Sequence, residues 1–172
     1  GRVRLDILQQ SIDLLVQRHE SLRTYFVSRD GIPYQKVDDA RRIAVKYIRL
    51  TGLDAEKQAH ETTEAVNRLS KAPFDFEQGP MIRVLLIEKS EEDFVMGLCM
   101  HHIVSDGWSN NVLTQELTWF YGQLLRNEDP TLPALPVQYV DYALWQRSVM
   151  TPEKLERDLA HWTNHLAGHQ DL

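Results

Sequence analysis

Cysteine is almost absent from this sequence, which has one, Cys99, among 172 residues. An internal disulfide is therefore impossible, and so is a zinc site built on paired cysteines. No apolar run approaches the roughly 20 residues that a membrane helix needs, and the first residues lack the apolar stretch of a signal peptide. These absences predict a protein of the reducing cytoplasm that has no membrane partner.

Positive charge is also scarce. The chain has 19 Lys and Arg residues against 25 Asp and Glu residues, so its formal net charge is −6. The cations are scattered along the sequence, which removes the basic patch that a nucleic-acid partner requires. Hydrophobic residues make up 42% of the chain and charged residues 26%, values typical of a folded globular domain. We therefore expect one domain with an ordinary core.

The spacing of apolar residues predicts helices and strands in mixed order. Helices are expected from Leu5 to the "RHES" segment, over 109–126, over 137–149 and from Thr151 onward, with hairpins at 22–37 and 81–102 and a strand at 43–50. A further helix, capped by Asp54, has the apolar stripe Ala55, Ala59, Thr62, Val66 and Leu69, and the last helix has the inner face Leu155, Leu159, Trp162 and Leu166. This order predicts an α/β (α+β) fold with helices packed on a mixed, mostly antiparallel sheet.

The stretch "MHHIVSDGWS", residues 100–109, is the strongest candidate for chemistry. Adjacent residues at a strand end point to opposite faces, so His101 and His102 cannot readily share a metal ion. One histidine can face a cleft and transfer a proton near neutral pH, or both can be ordinary strand-end residues. Asp106 and Gly107 predict a sharp turn in which Gly107 is free to adopt a positive φ angle.

Three segments occur in the order, and at about the separations, seen in condensation domains of nonribosomal peptide synthetases. They are "RHESLRTYF" at 18–26, "MHHIVSDGWS" at 100–109 and "YVDYALWQR" at 139–147; "APFDFEQGPMIRVLLIE" and "LAHWTNHLAG" also resemble connecting segments of that family. The resemblance covers residues 1–172 but only about the first half of a family member. It implies the N-terminal lobe of a chloramphenicol acetyltransferase-like fold, without the family's first motif and C-terminal lobe.

The resemblance also implies roles for individual residues. His102 is placed at the reacting centre, as a general base or as a group that positions the acceptor amine, while His101 points into the lobe. The backbone N–H at Gly107 is a candidate oxyanion donor. Asp106 is expected to form a structural salt bridge with Arg18 or, preferably, Arg23.

Aromatic residues of the same motifs are expected to pack. Trp108 is predicted to lie beneath the turn, and Tyr139, Tyr142 and Trp145 of the third motif are predicted to pack within the lobe near the channel. "DGWS" favours the ordinary peptide-bond-forming class over the heterocyclization and epimerization classes.

The implied reaction is amide formation between a donor acyl or peptidyl thioester and an acceptor aminoacyl thioester. Both substrates are held on phosphopantetheine arms, so no cofactor is bound directly. The expected partners are upstream and downstream peptidyl carrier proteins, the C-terminal lobe and a neighbouring adenylation domain. Two alternatives stay open: a non-catalytic module that docks carrier proteins, and an acyltransferase that uses coenzyme A.

Overall fold

The structure, a computed structural model, describes residues 1–169, which form two units, Gly1–Leu135 and the segment from Pro136 onward. The elements of the first unit are α1 (Leu5–Arg18), β1 (Thr24–Arg29), β2 (Ile32–Val37), β3 (Val45–Arg49), α2 (Ala55–Lys71), β4 (Ile82–Glu88), β5 (Phe94–Met100) and α3 (Gly107–Leu125). Those of the second unit are α4 (Tyr139–Val149) and α5 (Pro152–His165).

The predicted first hairpin is confirmed as β1 paired antiparallel with β2. Its two-residue turn is Asp30-Gly31, with φ angles of 52° and 78°, and this pair of positive angles is what the tightest hairpin turns require. The strand begins later than predicted. Leu22, expected in β1, is buried in a 3₁₀ turn, Glu20–Arg23, that links α1 to the hairpin.

A second sheet has three strands in the order β3-β4-β5. β4 runs antiparallel to β5, as predicted for the second hairpin, and parallel to β3. The parallel pair needs a long crossover, which α2 supplies. The sheet is therefore mixed and helices flank it, so the predicted fold class is confirmed.

The core lies on both faces of β4, where five apolar side chains alternate between two clusters. Ile82, Val84 and Leu86 pack with residues of α1 and α3, including Ile12, Leu15, Leu113 and Phe120. Leu85 and Ile87 pack on the opposite face with Leu50 and with Ala65 of α2. The central strand is thus buried on both sides, and β5 begins and ends against the same core.

Helix α2 is rotated relative to the predicted apolar stripe. Asp54 caps it as expected, accepting a hydrogen bond from the Lys57 N–H at 2.9 Å. Thr62 and Leu69 of the predicted stripe lie on the inner face, together with Gln58 and Ala65, whereas Ala55, Ala59 and Val66 are exposed. The polar Gln58 is satisfied on this face, because its amide donates to the carbonyls of Leu50 (3.1 Å) and Lys89 (2.9 Å).

In the second unit, α5 begins at the predicted cap. The Thr151 hydroxyl accepts from the Lys154 N–H, and Pro152 is the first helical residue. Within the second unit, the other residues do not bury the predicted inner face, and Leu155, Leu159, Trp162 and Leu166 are 47–57% exposed. Within this unit, the α4 aromatic residues Tyr139, Tyr142 and Trp145 form a ladder with successive ring centroids 5.9 and 5.7 Å apart.

Candidate active site

His101 organises the turn that follows β5. Its backbone N–H donates to the Met81 carbonyl at 3.0 Å, which extends the β4–β5 ladder by one bond. Its own carbonyl accepts from the Val104 N–H at 3.1 Å and from the Ser105 hydroxyl at 3.3 Å. Its Nδ1 accepts from the Ile103 N–H at 3.0 Å. Backbone and side chain of this one residue therefore define the path of 101–105.

The two histidines are placed differently. The His101 ring is half-buried and lies edge-on to two phenyl rings, those of Phe74 and Phe76. His102 is exposed. Since the backbone N–H of Ile103 can only donate, Nδ1 of His101 must be unprotonated, and the neutral ring carries its proton on Nε2. His101 is thus committed to the turn, while the His102 imidazole is accessible to a ligand.

Asp106 ends the turn and begins α3. Its Oδ1 accepts from the Ser109 N–H at 2.8 Å and the Ser109 hydroxyl at 2.6 Å, while the Ser109 hydroxyl in turn accepts from the Asp106 N–H at 3.2 Å. This is a reciprocal capping box. The hydrogen bonds from Ser109, first its hydroxyl and then its N–H, lower the pKa of the Asp106 carboxyl from its ordinary value of 3.8. A negative charge here also complements the helix dipole.

The predicted salt bridge of Asp106 is wrong. Asp106 is exposed and acts as a cap, so burial does not force it to find a cation. Arg18 Nε instead pairs with Glu116 at 3.0 Å, and its guanidinium also donates to the Pro133 carbonyl at 2.7 Å. Arg23 pairs with Asp39 and, at 3.7 Å, with Glu20.

Gly107 and Trp108 also differ from expectation. Gly107 is the first residue of α3 and has no positive φ angle, and a Cβ built on it would meet nothing within 4 Å. Its N–H is one of the first-turn groups that lack an intrahelical acceptor. Trp108 is 79% exposed instead of packed, because it precedes Leu113 by five residues and therefore lies far around the helix from that buried side chain.

Sequence reasoning missed Glu116, which joins the "RHESLR" segment to α3. Its Oε1 accepts from Arg18 and its Oε2 lies 2.6 Å from Nε2 of His19, with all three side chains only 14–16% exposed. The signal was present in the helical spacing: Glu116 lies between Leu113 and Phe120 on the buried face. A carboxylate at such a position requires a cationic partner.

Two other features bear on the kind of site that this chain can hold. Within residues 1–169, no three His, Cys, Asp or Glu side chains are placed to hold a metal ion. Across the same residues, no helix has both the length and the apolar character required to cross a membrane.

A comparison with family models matches residues 1–172 to the Condensation domain. The chain belongs to the condensation-domain family. Among curated relatives of this domain, a linear gramicidin synthase of Brevibacillus parabrevis is 39% identical over 173 aligned residues, and cyclosporin synthetase simA of Tolypocladium inflatum is 40% identical over 169. The alignments include 100% and 96% of this chain but only 2% and 1% of those two proteins.

Solved structures support the same assignment. The SgcC5 protein of Streptomyces globisporus matches with a TM-score of 0.80 at 25% identity, and the X-domain from teicoplanin biosynthesis with a TM-score of 0.85 at 26% identity. These matches cover 100% and 99% of this condensation-domain chain, and 39% and 37% of the solved chains. The predicted chloramphenicol acetyltransferase-like fold is confirmed, and the chain spans well under half of each neighbour.

In this condensation-domain chain, the candidate site is thus a turn with one accessible imidazole. His102 follows a residue held by four hydrogen bonds and two ring contacts, so its backbone is well defined. An exposed imidazole can accept a proton, donate one or hydrogen-bond an amine. The start of α3, a few residues later, presents backbone N–H groups that suit a developing negative charge.

Proposed function

We propose that this chain is the N-terminal lobe of a condensation domain that forms amide bonds between carrier-bound substrates in nonribosomal peptide synthesis. The proposal rests mainly on the turn after β5, where His101 is held by hydrogen bonds and ring contacts and His102 is accessible. The family match over the whole chain and the relatedness to peptide synthetases support the assignment.

The proposed reaction joins an acceptor amine to a donor thioester. The amine nitrogen attacks the thioester carbonyl carbon and forms the C–N bond. The C–S bond then breaks with its electron pair on the phosphopantetheine sulfur of the donor carrier, and the proton lost by nitrogen balances the thiolate. His102 either takes that proton, an effect worth roughly 10²–10⁴-fold in rate, or holds the amine for attack. The Gly107 N–H is the candidate donor to the oxyanion of the tetrahedral intermediate.

We assign the supporting residues from the contacts that they make. Asp106 holds the start of α3 through Ser109, so it supports the turn without an arginine. Arg18, the last residue of α1, pairs with Glu116 in the middle of α3 and so supports the packing of these two helices. The partners proposed are donor and acceptor carrier proteins, which supply the phosphopantetheine arms, together with the C-terminal lobe and an adjacent adenylation domain.

The test uses the complete condensation domain with both carriers loaded, and measures amide product by mass spectrometry. We expect His102→Ala to reduce the rate by at least about 100-fold while the domain stays folded. His60→Ala, which removes an exposed histidine on α2, is the matched control and should leave the rate unchanged. A folded His102→Ala domain that condenses at the wild-type rate would refute the assignment of His102.

Two further arms separate the alternatives. A carrier-docking module would bind loaded carriers without forming product in any variant. A coenzyme A-dependent acyltransferase would consume an acyl-coenzyme A and a free amine faster than the carrier-bound pair. The isolated chain should form no amide, because the proposed site needs a second lobe to complete its tunnel.

A further inference from the structure

Aromatic side chains of the segment between α2 and β4 contact His101, the first residue of the turn after β5. The ring centroid of His101 lies 4.8 Å from that of Phe76 at an interplanar angle of 77°, and 5.7 Å from that of Phe74 at 84°. Phe26 of β1 continues the series, 6.2 Å from Phe76 at 69°. Edge-to-face packing at these separations is the favourable geometry for aromatic pairs. We call these four residues the Phe–His cluster.

The cluster is fixed at both ends to regular structure. At one end the Phe26 N–H donates to the Phe76 carbonyl at 2.7 Å, which ties the segment to β1. At the other end the guanidinium carbon of Arg83, on β4, lies 3.9 Å from the ring centroid of Phe74. The Arg83 guanidinium also donates to the carbonyls of Leu69 (3.3 Å) and Ala72 (2.7 Å), where α2 ends.

The cluster determines the rotation of the His101 ring. Nδ1 of His101 accepts the Ile103 N–H only if the ring is turned toward 103, and in that orientation the ring makes its contacts with Phe74 and Phe76. Ile103 is the residue after His102, so this one hydrogen bond closes the backbone around His102. The position of the His102 backbone therefore depends on rings that are distant from it in sequence.

We propose that Phe74 and Phe76 are positioning residues for His102, acting through the ring of His101. Arg83 supports them by holding Phe74 and the start of the segment. The inference rests on the proposed function for its catalytic consequence, but its structural content, the link from Phe76 to the His101–Ile103 hydrogen bond, can be measured without any reaction.

The first experiment measures the turn itself in the 172-residue chain. We expect Phe76→Ala to reduce the hydrogen-exchange protection of the Ile103 amide by about ten-fold, roughly the value of one edge-to-face contact, while the Leu86 amide of β4 keeps its protection relative to global stability. Nitrogen-15 NMR should show His101 as the Nε2–H tautomer in the wild type and as a mixture of tautomers in Phe76→Ala. Phe76→Tyr should restore both signals, because it keeps the ring.

The control is Phe94→Ala, which truncates a phenylalanine at the first residue of β5, the end of the strand away from His101. It should lower stability without a selective effect at Ile103. If Phe76→Ala leaves Ile103 protected and His101 in one tautomer, or lowers protection at Ile103 and Leu86 equally, the proposal is wrong. Phe76→Leu provides the same comparison should the alanine variant fail to fold.

The second experiment measures condensation by the complete domain. Phe76→Ala should lower kcat by about ten-fold with KM for the loaded acceptor carrier within about two-fold, because a misplaced imidazole affects the transition state more than binding. A fall in activity with an undisturbed Ile103 amide would overturn the positioning role. A wild-type domain that forms no amide would refute the proposed function instead, and the NMR result would still decide whether the cluster orients the turn.

Discussion

Removing the carboxylate of Glu116 should be among the more damaging single-charge changes in the first unit. Arg18 Nε lies 3.0 Å from Oε1 and His19 Nε2 lies 2.6 Å from Oε2, and the three side chains are 14–16% exposed. A hydrogen bond to a charged group contributes about 1.5–3 kcal/mol, and two share this carboxylate. Glu116→Gln keeps the volume and one acceptor oxygen, but it removes the negative charge and replaces the other oxygen with an amide NH₂ that cannot accept a hydrogen bond. We therefore expect a loss of about 2–3 kcal/mol in the free energy of unfolding.

The assay is equilibrium unfolding in urea, followed by the fluorescence of the chain's four tryptophans. With slopes of about 1–3 kcal/mol per molar urea, the transition midpoint should fall by roughly 1 M at constant slope. Glu128→Gln is the matched control. Its partner Arg126 lies at 2.7 Å, but the side chains are 51% and 56% exposed, so the loss should stay below about 0.5 kcal/mol. Equal effects of the two substitutions would refute the argument from burial.

Other predictions concern the turn and the sheet. Gly97→Val should lower the free energy of unfolding in urea by about 1–3 kcal/mol, because a Cβ at Gly97 would approach Cδ2 of Leu69 to 2.8 Å. Gly107→Ala should be neutral or stabilising, because a Cβ at Gly107 would meet nothing within 4 Å. A Gly97→Val protein as stable as the wild type would contradict the close packing of α2 on β5. Asp106→Asn should lower stability at neutral pH. The folded-state pKa of Asp106 is lowered, so the stability advantage of the wild type is fully present above the ordinary carboxyl pKa and is lost as the pH falls through the lowered pKa. If the wild type stays more stable than the variant at still lower pH, the hydrogen bonds from Ser109 to the carboxylate are not the source of the difference.

Local patterns were sufficient for most of the fold. The turn at Asp30-Gly31, the caps at Asp54 and Thr151 and the buried run of β4 each arise from residues close together in sequence. The parallel pairing of β3 with β4 is a tertiary feature, and the apolar pattern of β3 carries no information about its direction. The inward position of Gln58 on α2 likewise depends on carbonyl partners outside the helix.

The candidate site was predictable only in part, for the same reason. The strand-end position of the histidine pair follows from the apolar run before it. The arginine partner of Asp106 was an inference from resemblance, and a local signal argued otherwise, because an Asp immediately before a helix is a preferred N-cap residue. Arg18 and Arg23 form ion pairs with carboxylates of α3 and of the loop after β2, and no rule of sequence spacing identifies these partners.

The mixed sheet has a consequence for the order of folding. Glu88 and Phe94 pair on either side of a short loop, so the hairpin of β4 and β5 can form as soon as that loop closes. Val45 meets Val84 only after the whole of α2 has formed or collapsed between them, and closing so long a loop is entropically slower. We expect the hairpin of β4 and β5 to form early and β3 to dock late. During synthesis on the ribosome, β3 and α2 would therefore wait, unpaired, for a strand that has not yet emerged.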